Sequence, residues 1–219
     1  MKKNMLLFIC LIFTFFAMGT IVAKEGKEQK VVVEEHFYEE QSKLKYPQVK
    51  KLASKKAEEK INKDFTAYIQ KSAEEWEEIR KDAEENNYKS DYQTDFKVKF
   101  NQSPYLSILT SNYMYTGGAH GNTVVESFNY NTTDGSRIYL TDILTTEDQL
   151  KEVQNYVWEY AIERPEIFYP DLKKEDVILT KDTAFYFNES GITLVFQQYE
   201  IAPYVSGNQE IVIPEELYN

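Results

Sequence analysis

The chain has 219 residues, with 36 acidic against 25 basic side chains and a formal net charge of −11. That balance excludes nucleic acid as a natural partner, because a polyanion needs a basic face, and it favours a cationic one. The single cysteine, Cys10, lies in an N-terminal apolar run, so the rest of the chain must be held by a packed core, without disulfides, and has no thiol for catalysis.

Lys2 and Lys3 precede an apolar run from Met5 to Ala23. This reads as a signal peptide over 1–23, with Ile21-Val22-Ala23 at the cleavage site. The run also approaches the ~20 residues that span a bilayer, so an uncleaved signal-anchor is the alternative. Cleavage removes two bases and no acid, moving the net charge from −11 to −13. Residues 24–30 are a short polar tether. An exported chain without disulfides fits the envelope of a Gram-positive bacterium.

Val31 to Tyr38 is β-branched and then aromatic and reads as a first strand, with a second over Leu44 to Pro47. His36 has acidic neighbours but no second histidine or cysteine, so a solvated strand edge is expected there and no metal. From Gln48 to about Glu85 apolar residues recur at Leu52, Ile61, Phe65, Ile69, Trp76 and Ile79, the stripe of a long helix with Pro47 in its first turn. Its acidic end faces the negative helix pole and is expected to fray. Asn86 to Thr94 reads as a connector. Phe96, Val98 and Phe100 alternate with lysines as a half-buried strand, and Asn101 to Pro104 turns into a strand from Tyr105 to Tyr115.

Strands over Val124 to Tyr130 and Arg137 to Leu140 follow, joined by a turn with Asp134-Gly135. Thr146 with Gln149 makes a capping box for a helix that runs to about Glu163 and buries Leu150, Val153 and Val157. Val177 to Leu179, Ala184 to Phe187, Ile192 to Gln197 and Glu210 to Ile213 read as strands. The fold class is α+β: two small subdomains, 31–121 and 122–219, each a helix packed on a mainly antiparallel sheet, after the N-terminal signal segment.

Tyr105 to Tyr115 runs into the loop Thr116-Gly117-Gly118-Ala119-His120-Gly121, whose glycines permit a sharp turn or a close neighbour. That run, YTGGAHGNT, and a second one, YEIAPYVSG at Tyr199 to Gly207, resemble motifs of a pair of bacterial extracytoplasmic domains. One is named after the peptidoglycan deacetylases that carry it, and the other is a domain of unknown function. The pair also forms the outer part of the anti-sigma-V factor that acts as a lysozyme receptor. The resemblance covers nearly all of the chain after its leader.

It implies a deacetylase-associated unit over 31–121 followed by the domain of unknown function over 122–219. The sequence ends where such a deacetylase would carry its catalytic domain, and only Met1 to Asn4 precede the apolar run where the receptor has its sigma-binding segment. Neither activity is therefore expected. What the resemblance implies is an exported, non-catalytic module that captures a cationic cell-wall hydrolase such as lysozyme, or a peptidoglycan fragment. The ligand-binding candidates are Tyr113, Tyr115, Gly117, Gly118, His120, Pro203 and Tyr204, because exposed tyrosines give a rigid contact surface with a polar tip. The alternative is a glycan hydrolase or deacetylase with His120 as general base, helped by Asp142, Glu126 or Asp134, with Ser127 or Thr123 as nucleophile. No zinc-hydrolase pattern, phosphate loop or dinucleotide fingerprint occurs, and no cofactor is expected.

Overall fold

The computed structural model describes residues 30–219, so the leader and the tether before Lys30 lie outside the described residues. Antiparallel sheets and helices make up the rest, in an α+β arrangement. Among the described residues no helix is long and apolar enough to cross a membrane.

Strands β1 (Val32–Phe37) and β2 (Lys45–Lys50) form an antiparallel ribbon. Pro47 lies inside β2, opposite Glu35, and not in a helix as its sequence context implies. The long helix α1 (Lys55–Asn86) starts instead after Ser54, whose Oγ accepts the Ala57 N–H at 3.2 Å. Val49 and Leu52 are buried, but as strand and loop residues whose spacing continues the helical stripe by chance. Asn62 joins the two elements: its Oδ1 accepts the Val49 N–H at 2.7 Å and its Nδ2 donates to the Val49 carbonyl at 2.9 Å. The acidic end of α1, expected to fray, is helical to Asn86 and carries a cap. Arg80 sits between Glu77 and Glu84, and Asn87 closes the helix in the left-handed conformation while Tyr88 N–H returns to the Ala83 carbonyl.

Helix α1 packs on a four-stranded sheet in the order β3 (Asp91–Gln102), β4 (Tyr105–Tyr115), β5 (Asn122–Asn131), β6 (Ser136–Ile138). Strand β3 begins inside the stretch read as a connector, because Tyr92 and Thr94 turn into the core. The alternation of Phe96, Val98 and Phe100 does not hold: the register shifts between Val98 and Phe100, and Val98 is 42% exposed. The sheet continues past residue 121, and Phe128 and Tyr130 on β5 close the same core as Phe65 of α1, with ring centroids 5.0 and 5.8 Å from it.

The second half begins with α2 (Leu140–Ile143), where β6 was expected to continue; the Asp142 carboxylate accepts the Tyr139 N–H and caps the turn. Helix α3 (Glu147–Ile162) starts at the Thr146–Gln149 capping box and buries Val153, Val157 and Ala161. It packs with the sheet β7 (Ala184–Asn188), β8 (Gly191–Phe196), β9 (Gln209–Pro214) around a second core. Residues 177–179, expected as a strand, are not one: Gln154 Nε2 from α3 takes the Val177 carbonyl, and the buried Val177 is a core anchor on an irregular segment.

Side chains stitch the two sheets together. Ser127 Oγ and Ser107 Oγ accept the backbone N–H groups of Phe185 and Phe187, and Asn129 Nδ2 donates to the Phe185 carbonyl. The free edge of β7 is thus satisfied by hydroxyls and an amide, with Leu109, Val125, Ala184 and Val195 packed beside them.

Candidate functional site

The hairpin from β4 to β5 ends in the glycine loop, and the loop after β8 runs from Gln197 to Asn208. They meet because the backbone of β5 is held by that second loop. Gln197 accepts the Val125 N–H at 3.0 Å and donates to the Val125 carbonyl at 2.8 Å, as a neighbouring strand would, and Gln198 Oε1 accepts the Thr123 N–H at 2.8 Å. This brings His120 onto Tyr204: the two rings stack with centroids 3.8 Å apart and planes 18° from parallel. Tyr199 extends the stack, 5.7 Å from Tyr204, and its hydroxyl lies 3.4 Å from His120 Nε2.

The other candidates support this stack or flank it. Tyr115 donates its hydroxyl to the Gly118 carbonyl at 2.9 Å, tying the loop to β4. Gly117 lies over the Tyr88 ring, with φ +90°. The ring of Tyr113 leaves no room beside Gly121, where a Cβ would fall 2.5 Å from it, so that glycine is there for close approach. Pro203 starts the single turn Tyr204–Ser206, whose Ser206 hydroxyl donates to the Ile167 carbonyl at 2.7 Å. The structure therefore brings His120 and Tyr204 into direct contact, places Tyr115 with Gly118, and leaves Tyr113 and Gly117 as packing partners of the loop base.

Tyr199 and Val205 are functional candidates that residue-by-residue reading passed over. Tyr199 is 52% exposed and adopts φ +68°, a conformation that costs a non-glycine residue roughly 1 kcal/mol or more. Val205, at the tip, is 89% exposed. The sequence signal for Tyr199 was its place at the head of the second motif. Beneath the loop, Glu200 accepts the Gln197 N–H at 2.6 Å, and burial raises its carboxyl above the ordinary range in spite of that hydrogen bond.

The general-base reading of His120 finds its helpers engaged elsewhere. Its Nδ1 lies 2.9 Å from the Gly121 carbonyl oxygen. Glu126 pairs with Arg137 at 2.8 Å, Asp142 caps α2, Asp134 holds the Ser136 turn and Ser127 stitches β7. The arrangement braces a loop and displays rings. Among the described residues no group of three or more histidine, cysteine or acidic side chains could hold a metal.

Residues 33–123 match the family described as deacetylase PdaC, and residues 141–216 match the protein family of unknown function DUF3298. The chain carries this domain pair. A peptidoglycan-N-acetylmuramic acid deacetylase, PdaC, of Bacillus subtilis (strain 168) is 26% identical over 175 residues, covering 73% of this chain and 35% of that protein. The chain thus spans about a third of the length of that relative. A DUF3298 family member from Bacteroides fragilis, 20% identical, shares the fold with a TM-score of 0.57 across 86% of this chain and 90% of its own. Within the pair, His120 belongs to the PdaC-type segment and Tyr199 and Tyr204 to the DUF3298 segment, so the ring stack is a contact between them.

Proposed function

We propose that this chain is a non-catalytic binding module working outside the cytoplasm in a bacterial cell envelope, and that it captures a basic, wall-acting hydrolase of the lysozyme kind. The observation that carries the proposal is the stack of His120, Tyr204 and Tyr199, in which His120 and Tyr199 are exposed and Tyr204 is half-buried between them, set at the junction of the two domains and tipped by Val205. The tip stands out into solvent on loops pinned at their bases by Gln197, Gln198 and Ser206. Such a stiff aromatic projection suits insertion into a partner's cleft, where rigid rings lose little conformational entropy on binding. The net charge of −11 attracts a basic protein and speeds its encounter. Kinship with a peptidoglycan deacetylase supports a setting in the wall.

A second reading, direct binding of peptidoglycan, is favoured by that same kinship. Two measurements separate the readings from each other and from catalysis. Surface capture of a c-type lysozyme should weaken at least about tenfold with Tyr204→Ala, the loss typical of a central aromatic anchor. Incubation with muropeptides should release no product. Turnover that disappears in His120→Ala would replace the binding module with an enzyme.

A further inference from the structure

The charges of α1 run against its dipole. Lys55 and Lys56 stand in its first turn and Glu84 and Glu85 in its last, whereas the positive N-terminal pole of a helix favours acids and the negative C-terminal pole favours bases. This order works against the helix, so helix stability does not account for it. Lys56, Lys60 and Lys63 are exposed and, spaced four and three residues apart, share one face of the first half. In the second half the exposed side chains include Glu74, Glu78, Glu84 and Glu85.

The acids of the first half are mostly turned to the fold. Glu58 accepts the Leu52 N–H at 3.1 Å and pairs with Lys55 at 2.6 Å, and Asp64 accepts the Tyr130 hydroxyl at 3.1 Å. Glu59 stays on the outer face. Among the described residues Lys30, Lys56, Lys60 and Lys63 have no carboxylate within ion-pair distance. On a chain with 11 more acids than bases, this end of α1 is a local reversal of charge.

The described chain enters the fold at the same end. Val31 is fixed by Asn101, which takes its N–H at 2.9 Å and gives to its carbonyl at 2.8 Å, and one cavity of about 340 Å³ is lined by both Val31 and Ser54, the cap of α1. In the sequence six residues, 24–29, separate Lys30 from the apolar run that ends at Ala23. Fully extended they reach about 20 Å, so while that run lies in a bilayer these lysines stay within that distance of its surface.

From this placement we infer that the N-terminal half of α1 is a docking surface for an anionic lipid bilayer. Its ammonium groups meet phosphate headgroups as compact point charges. The acids elsewhere on the body oppose the contact little at physiological salt, where charges more than about 8 Å away are screened. A dissolved anionic polymer would meet the same charges, but the short link to the apolar run selects the bilayer. The helix is about 48 Å long, and its acidic end leads to Tyr88, over which Gly117 of the aromatic loop lies. Docking by the basic end therefore leaves the stack of His120 and Tyr204 facing away from the lipid.

The test is sedimentation of residues 24–219, which contain both cores, with vesicles of phosphatidylglycerol and phosphatidylcholine and with vesicles of phosphatidylcholine alone. The chain should bind the anionic vesicles, more weakly as salt is raised, and leave the neutral ones. Lys56→Gln, Lys60→Gln and Lys63→Gln together should weaken binding at least about thirtyfold, at about fivefold for each charge. Lys56→Gln also relieves the conflict with the helix pole, so the triple variant should melt no lower than the parent, which separates lost binding from lost fold. Lys81→Gln, at the acidic end of the same helix, should bind like the parent. No binding to anionic vesicles, equal binding to both kinds, a triple variant that binds like the parent, or a Lys81→Gln loss as large as that of Lys60→Gln would each overturn the docking surface. The vesicles carry no protein partner, so that failure leaves the capture reading standing.

Discussion

At Gly135 one hydrogen atom decides whether α1 can start where it does. The residue has φ +70°, and a Cβ there would lie 2.7 Å from the Ala57 carbonyl oxygen, in the first turn of the helix. Gly135→Ala should therefore cost about 1–3 kcal/mol, through both overpacking and backbone strain, read as a lower urea midpoint with unchanged slope. Glu200 gives a residue-scale effect of pH. Its folded-state pKa is raised by burial, so the folded protein binds more protons than the unfolded chain, and this group's contribution falls as pH rises from the ordinary 4.5 through the raised value. Glu200→Gln keeps an acceptor for the Gln197 N–H and removes the charge. It should melt higher than the parent near pH 7.5, and the gap should close as pH falls towards 4.5. A gap that widens on acidification would show that the hydrogen bond to the charged form outweighs burial.

Elements here are joined by amides that imitate a strand. Asn62 pairs with both backbone groups of Val49, Asn101 with both of Val31, and Gln197 with both of Val125. Asn62→Ala leaves a buried N–H and a buried carbonyl unpaired, and should cost about 2–4 kcal/mol in chemical denaturation. Thr146→Ala, which removes half of a capping box, should cost about 1 kcal/mol. These two substitutions mark what the sequence could and could not disclose. The Thr146–Gln149 box is local, and its spacing was readable. Tyr105–Tyr115 was readable end to end because the run contains no glycine or proline to break an extended segment. Asn62 was not readable as a strand partner: its role is fixed by Val49 across a turn, and the same geometry turned Pro47 and Val49 from helix into strand. Val98 failed for a related reason, since a bulge resets alternation and leaves no mark in residue type.

Across the whole molecule, the two motifs lie 79 positions apart, measured from His120 to Tyr199, and the stitches between β5 and the loop after β8 bring them together. The sequence showed both motifs. It did not show their contact, which depends on side-chain hydrogen bonds from Gln197 and Gln198, or the strained Tyr199 that contact supports. A display of rings at a domain junction, on an acidic body, suits the capture of a basic partner. The decisive measurement is calorimetric titration of the chain with a c-type lysozyme at low and at physiological salt, for the parent and for Tyr204→Ala. One-to-one binding that persists at physiological salt in the parent and weakens at least about tenfold in the variant, with circular dichroism unchanged, is the predicted result. Heat that vanishes at physiological salt, or that Tyr204→Ala leaves untouched, would reduce the attraction to charge and contradict the assignment.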